Sequence, residues 1–197
     1  MGSGPTDEVL ARRIHDRAHL EGEFQLRSGA VSGEYFDKYL FESDPELLSA
    51  VAEGLVSLLP AGAQVVAGLE LGGVPLATMV SQLSGLPTVF VRKAPKDYGT
   101  RRLAEGGQVT GRRLVVIEDV VTSGGQIIES CAALREDGAD IVGVLCVIDR
   151  EAGGADNLAS HGLELRCLFS MSQLRGADEF RPDARSHSPT LTTPEAP

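Results

Sequence analysis

The feature that most constrains the fold is the run Leu-Val-Val-Ile at residues 114–117. A strand with apolar side chains on both faces must be covered on both faces, as central strands of a parallel sheet are when helices pack on either side. Other short apolar runs predict further strands of this sheet, at 65–69, 88–91, 141–148 and 165–169. Helical patterns alternate with them, at 44–58, 75–84 and 125–137. The alternation predicts an α/β fold with a central parallel sheet flanked by helices.

Length and composition predict one domain. The chain has 197 residues, 42% of them apolar, which is enough for one substantial core and too little for two. Residues 1–6 are small and are predicted to be flexible, residues 7–181 to form the domain, and the Pro-, Ser- and Thr-rich residues 182–197 to be disordered. In the first part of the domain, the pattern indicates an amphipathic helix through Ile14 and a turn-rich stretch around Gly29 and Gly33.

The composition also excludes several classes of protein. No apolar run approaches the roughly 18 residues needed to cross a bilayer, and the N-terminus has no basic segment followed by an apolar one, so we expect a cytoplasmic protein without a membrane partner. Cys131, Cys146 and Cys167 lack CxxC spacing, which favours reduced, buried thiols over disulfides or a zinc site.

The charge distribution points to a small polyanionic ligand. The net charge of −10 disfavours nucleic acid. Residues 92–102 nevertheless hold five cations against one anion, Asp97, so this stretch carries +4 and the rest of the chain −14. It lies in a connection of about twenty residues, 92–111, and connections of that length are typically lids or disordered segments. A cationic lid over phosphates is therefore expected, although an isolated cluster of this kind would more often be a solvated loop.

The most informative motif follows the central strand. Two adjacent carboxylates, Glu118 and Asp119, lead into the glycine-rich turn Thr-Ser-Gly-Gly, which opens a helix. A helix N-terminus with free N–H groups binds anions, and ligands of open parallel sheets lie at the carboxyl ends of the strands. Residues 122–126 can therefore cradle a phosphate, while the two carboxylates can accept hydrogen bonds from neighbouring ribose hydroxyls. Residues 68–75, Gly-Leu-Glu-Leu-Gly-Gly-Val-Pro, repeat the geometry after another strand.

These motifs resemble those of the type I phosphoribosyltransferases, which use phosphoribosyl pyrophosphate (PRPP). The resemblance implies the family's central parallel sheet flanked by helices, with a small N-terminal hood, here mainly residues 7–43, on a PRPP-binding core, 44–181. It also implies that Glu118 and Asp119 hold the ribose. The residues implied to surround the 5′-phosphate are Thr122, Ser123, Gly124, Gly125 and Gln126. Those implied to form the pyrophosphate loop are Leu71, Gly72 and Gly73. Gln126 stands where the family usually has Thr or Ser.

Residues 92–99, Arg-Lys-Ala-Pro-Lys-Asp-Tyr-Gly, resemble the catalytic loop of the orotate phosphoribosyltransferases. By that resemblance Arg92, Lys93 and Lys96 contact pyrophosphate, and Tyr98 replaces the usual His. Lys96 is implied to be catalytic together with Glu118 and Asp119. The resemblance also implies a homodimer in which the 92–111 loop of one subunit reaches the neighbouring site.

Two further segments resemble the parts of those enzymes that bind orotate, a planar ring with a carboxylate. The residues they supply are Arg27, Tyr35, Phe36 and Arg150. Arginine suits a carboxylate because its guanidinium can donate two parallel hydrogen bonds. The implied reaction joins orotate to PRPP, releasing pyrophosphate in pyrimidine (UMP) biosynthesis, with Mg²⁺ bound with PRPP and no metal site made by the protein alone. Two alternatives stay open: a phosphoribosyltransferase for another base, and a PRPP-sensing regulator without catalysis.

Overall fold

A computed structural model describes residues 5–25, 29–94 and 103–179. Its elements follow one another in the order α1 (Pro5–Ala18), β1 (His19–Gln25), β2 (Val31–Phe36), α2 (Lys38–Glu42), α3 (Pro45–Ser57), β3 (Val65–Leu69), α4 (Gly73–Ser84), β4 (Thr88–Val91), β5 (Ala104–Glu105), β6 (Arg113–Val121), α5 (Gly125–Glu136), β7 (Asp140–Asp149), α6 (Gly154–Ser160), β8 (Leu165–Ser170) and α7 (Met171–Glu179).

The predicted sheet is confirmed. Six strands lie in the order β5-β4-β3-β6-β7-β8, and neighbours from β4 to β8 pair in parallel. Strand β6 is central, and its side chains alternate between two buried clusters: Val115 and Ile117 pack on one face of the sheet, and Leu114 and Val116 on the other. The run 114–117 is thus apolar at every position because both faces of the strand are covered.

The flanking helices begin and end where the local sequence predicts. Helix α3 starts after Asp44, whose carboxylate accepts hydrogen bonds from the N–H groups of Glu46 and Leu47, both at 3.1 Å. Pro45 occupies the first helical position, where no N–H is needed. Helix α4 ends at Gly85, which has a φ of 73°, the left-handed conformation that favours glycine.

Two predictions about the site-bearing segments were wrong in detail. Strand β6 continues to Val121, so Glu118 and Asp119 lie within the strand rather than after it. The strand continues because β7 still pairs with it there, Val121 opposite Asp149. The connection 92–111 contains strand β5, which pairs antiparallel with β4. Leu103, Ala104 and Val109 are buried against the chain's own sheet, so residues 103–111 are not part of an open lid.

The N-terminal part contains the predicted helix through Ile14, but the turn-rich stretch is the second strand of a hairpin, β1–β2. Ile14, Ala18 and Phe41 share one core cluster with Val51 of α3 and Ile117 of β6.

The short helices α2, α6 and α7 had no clear sequence pattern and were not predicted. The division into a hood over 7–43 and a core over 44–181 stays a prediction. In the part of the chain that the structure describes, no helix is long and apolar enough to span a bilayer.

Candidate active site

The carboxyl ends of four parallel strands, β4, β3, β6 and β7, lie side by side at one edge of the sheet. Backbone hydrogen bonds continue past the strand ends: Glu70 N–H donates to the Val91 carbonyl at 2.9 Å, and Arg150 N–H to the Val121 carbonyl at 2.9 Å. This edge therefore brings together the loop after β3, the carboxylates of β6, Arg92 after β4 and Arg150 after β7.

The turn after β6 has the form of an anion cradle. Gly124 has a φ of 76° and precedes α5, whose first N–H groups point out of the helix end. Thr122, Ser123 and Gln126 are exposed around it. Helix α6 supports the turn, because the Asn157 side-chain amide donates to the Ser123 carbonyl at 2.7 Å. The turn is therefore open to solvent on one side, and helix α6 holds it on the other.

The loop after β3 packs directly against β6. The Glu70–Leu71 peptide bond is cis, and Leu71 is 64% exposed, while Gly72 and Gly73 are buried. A Cβ atom at Gly72 would overlap the Asp119 carboxylate, and one at Gly73 would overlap the Ile117 carbonyl. Both positions therefore require glycine. Glu70 joins this loop to the next one, since its carboxylate accepts a hydrogen bond from Lys93 N–H at 2.6 Å.

Asp119 is the fully buried member of the site, with 0% exposure. It extends from the same face of β6 as Val115 and Ile117, because side chains alternate along a strand, and that face is covered by α2. Its Oδ1 accepts a hydrogen bond from Val120 N–H at 2.5 Å. Its Oδ2 has no hydrogen-bond partner among the described residues, but it forms an ion pair with the Lys38 Nζ at 2.5 Å. Glu42, also on α2, is buried beside it.

We call Glu42, Glu118 and Asp119 the acid cluster. Burial and the negative charge of the neighbouring Asp119 raise the pKa of Glu42 to about 8. Burial and the adjacent Asp119 carboxyl likewise raise the pKa of Glu118 well above its usual range. Burial would also raise the pKa of Asp119, but the adjacent Glu118 carboxyl and the Lys38 ammonium lower it on balance. At neutral pH the cluster therefore concentrates negative charge on Asp119, while the neighbouring carboxyls tend to keep their protons.

The structure brings most of the predicted site residues to this edge. Arg92 is half-buried at the end of β4, and its buried Nε has no hydrogen-bond partner in the described ranges. Lys93 and Arg150 are exposed. On the hairpin, Tyr35 is 43% exposed with its ring centroid 5.5 Å from that of Phe24, whereas Phe36 packs against the core. Arg27, Lys96 and Tyr98 lie outside the described residues.

Four residues with direct structural roles here were missed from the sequence: Lys38, Glu42, Glu70 and Asn157. Lys38 lies two residues after Phe36, and Asp37 between them is a helix N-cap, which signals the start of α2. No sequence pattern, however, indicates that α2 lies against a strand some 80 residues away. The contact between Lys38 and Asp119 could therefore not be predicted from the sequence.

A metal ion at this site would take most of its ligands from substrate and water. Within residues 5–25, 29–94 and 103–179, no group of three or more His, Cys, Asp or Glu side chains is arranged to hold one. Mg²⁺ commonly keeps several waters and takes its other ligands from substrate phosphates, so a diphosphate substrate can carry it without a protein cage. The residues present fit an ion that enters with the substrate.

The fold and the two loops define a phosphoribosyltransferase domain. The chain matches the family described as "Phosphoribosyl transferase domain" over residues 46–163. It is 51% identical to an orotate phosphoribosyltransferase of a Nocardioides species over 88% of this chain and 97% of that protein. The chain therefore belongs to the phosphoribosyltransferase family, and within it to the orotate phosphoribosyltransferases.

Solved structures agree. Orotate phosphoribosyltransferase from Mycobacterium tuberculosis superposes with a TM-score of 0.79 and 31% identity, covering 86% of this chain and 99% of that one. Another crystal structure of that enzyme, in complex with PRPP, gives a TM-score of 0.75 at 28% identity, covering 87% and 99% of the two chains.

Proposed function

We propose that this protein transfers the 5-phosphoribosyl group of PRPP to orotate, giving orotidine 5′-monophosphate and pyrophosphate, a step of de novo pyrimidine (UMP) biosynthesis. The observation that carries the proposal is the edge where an anion cradle, a second glycine loop and a buried ionised carboxylate meet at adjacent strand ends. The family relationship supports orotate over another base and an enzyme over a regulator.

The proposed placement of PRPP follows the local chemistry. The N–H groups at the start of α5, with residues 122–126, bind the 5′-phosphate. Glu118 and Asp119 bind the ribose hydroxyls. Asp119 acts as a charged acceptor, while Glu118, which keeps its proton to higher pH, can both donate and accept. The diphosphate lies over Leu71, Gly72 and Gly73, within reach of Arg92 and Lys93.

The reaction proceeds by electrostatic stabilisation in this arrangement. A ring nitrogen of orotate bonds to the anomeric carbon as the bond to pyrophosphate breaks, and the nitrogen loses its proton. Positive charge develops on the sugar and negative charge on the leaving group. In this arrangement the ionised Asp119 is close to the sugar, and the cations Arg92 and Lys93 are close to the leaving group, so charges already in place stabilise both changes. Mg²⁺ bound with PRPP would supply further neutralisation of the diphosphate.

The base is proposed to bind between the hairpin and the end of β7. Arg150 is exposed there, with its backbone fixed to Val121, and its guanidinium can pair with the orotate carboxylate. Tyr35 offers an exposed aromatic ring for the pyrimidine. Arg27 and Phe36 complete the proposed set, and Phe36 packs against the core.

We place this reaction in the cytoplasm. The three cysteines are free, two of them buried, which suits a reducing compartment. The substrates are small molecules, and the proposal requires neither nucleic acid nor membrane.

The proposed dimer makes a distinct prediction. If Lys96 serves the neighbouring subunit's site while Asp119 serves its own, a Lys96→Ala chain paired with an Asp119→Asn chain leaves one site whole. Random exchange of equal amounts of the two inactive proteins should restore activity to about a quarter of wild type. Differently tagged chains that co-purify show that exchange has occurred. With exchange demonstrated, a mixture that stays inactive rules out the shared site.

The base assignment is tested with a panel of bases. Purified protein is incubated with PRPP, Mg²⁺ and either orotate, uracil, adenine or hypoxanthine, and nucleotide formation is followed by chromatography. Orotate should be the base consumed, and only when PRPP and Mg²⁺ are both present. Consumption of a purine without orotate would refute the base assignment and leave PRPP use intact.

A further inference from the structure

Lys38 has a role that the motifs do not assign. It is the first residue of α2, yet its ammonium leaves the helix to lie 2.5 Å from the Asp119 Oδ2, a carboxylate with 0% exposure. The Lys38 side chain itself is 32% exposed, so it forms the boundary between solvent and the buried acid. It lies two residues after Phe36, and thus links the segment proposed to bind the base with the carboxylate proposed to bind the ribose.

The charges around this contact explain why a cation is needed. The titratable groups near the acid cluster include its own three carboxyls, Lys38 and Tyr39 of α2, the N-cap Asp37, and Cys146 of β7, which lies opposite Glu118. On the side facing the loop after β3, Asp119 is covered by Gly72. Because glycine has no side chain, only backbone lies against the carboxylate there. Carboxyls this close disfavour each other's charge, and burial disfavours it further. An ammonium in contact with Asp119 offsets both effects at that one carboxyl.

We propose that Lys38 is a positioning residue for the transfer reaction: it keeps Asp119 ionised and oriented toward the ribose site when the other acids of the cluster would otherwise compete for its charge. The inference rests on the proposed role of Asp119 in binding the ribose. It differs from a simple ion pair joining α2 to β6, because such a pair would affect stability without setting the protonation state of the site.

The test is the pH dependence of kcat/KM for PRPP in Lys38→Met, Lys38→Arg and wild type. Since Lys38 lowers the pKa of Asp119, its removal raises that pKa, and Asp119 then takes up a proton at higher pH. The acid limb of the Lys38→Met profile should therefore move up by about one to three pH units, with activity recovering as the pH rises. Lys38→Arg keeps a charge at this position and should keep the limb close to that of wild type.

Two controls isolate the effect. Arg13→Met removes a cation from an exposed ion pair with Glu46, 3.2 Å long, and should leave the profile unchanged. Thermal melting at each pH identifies loss of folded protein, and Lys38→Gln replaces Lys38→Met should the latter not fold.

The outcomes separate this inference from the proposed function. A Lys38→Met profile that coincides with wild type, or activity that rises at every pH, overturns the role of Lys38. A uniform loss at every pH that tracks melting also overturns it, since that is the behaviour of a structural ion pair. If Asp119→Asn is impaired in the same assays, the proposed function stands whichever way the Lys38 result falls. Should Asp119→Asn be unimpaired, the proposed ribose role itself fails.

Discussion

Gly72→Ala should lower kcat/KM for PRPP by about a hundredfold, because displacements near 1 Å in a reacting site can cost that much. The new Cβ would occupy the space of the Asp119 carboxylate. That carboxylate cannot simply turn away, since it is fully buried and held by Val120 N–H and Lys38. Either the pyrophosphate loop or the acid must therefore move, and each is proposed to contact PRPP.

The matched control is Gly176→Ala. Gly176 lies within helix α7, and a Cβ there would meet nothing within 4 Å. Alanine favours a helix over glycine by up to about 1 kcal/mol, so this variant should be as active as wild type and no less stable. Steady-state kinetics with varied PRPP and thermal melting of both variants provide the comparison. Near wild-type activity in Gly72→Ala would show that the loop does not define the site.

Asp119→Asn should lower kcat/KM by at least about tenfold, equivalent to roughly 1.4 kcal/mol of transition-state stabilisation. The substitution keeps the shape of the side chain but removes the negative charge that is proposed to face the developing cation. It also leaves the Lys38 ammonium against a neutral amide, so an adverse positive charge remains beside the proposed ribose site.

Asp140→Asn is the control for that change of acid to amide. Asp140 begins β7 at the opposite end of the sheet, and its side chain is 67% exposed in a long ion pair with Arg113. Its kinetics should match wild type, because exposed ion pairs contribute little. Activity of Asp119→Asn within twofold of wild type would refute the proposed role of its charge.

The local parts of this structure were predictable because their causes are local. The run 114–117 is apolar on both faces since β6 is covered on both faces, and Asp44, Pro45 and Gly85 mark helix ends through their own backbone preferences. The anion cradle was predictable for the same reason: a strand, a glycine turn and a helix start are consecutive in the chain.

The missed parts depend on contacts between distant segments. Strand β6 extends through its two acids because β7 pairs with it, and β5 forms because it adds to the edge of β4. The sequence suggested two equivalent carboxylates. The fold makes them unequal, since Asp119 turns toward α2 and Lys38, and Glu118 does not share that face. The protonation states of these two carboxyls depend on such packing, so they could not be predicted from the sequence motif.

The central claim is most directly tested by product stoichiometry. Wild-type protein with orotate, PRPP and Mg²⁺ should form orotidine 5′-monophosphate and pyrophosphate in equal amounts, each equal to the orotate consumed, as measured by chromatography and a pyrophosphate assay. Omission of PRPP should abolish both products. Pyrophosphate release without the nucleotide, or no turnover of orotate by folded protein, would contradict the account.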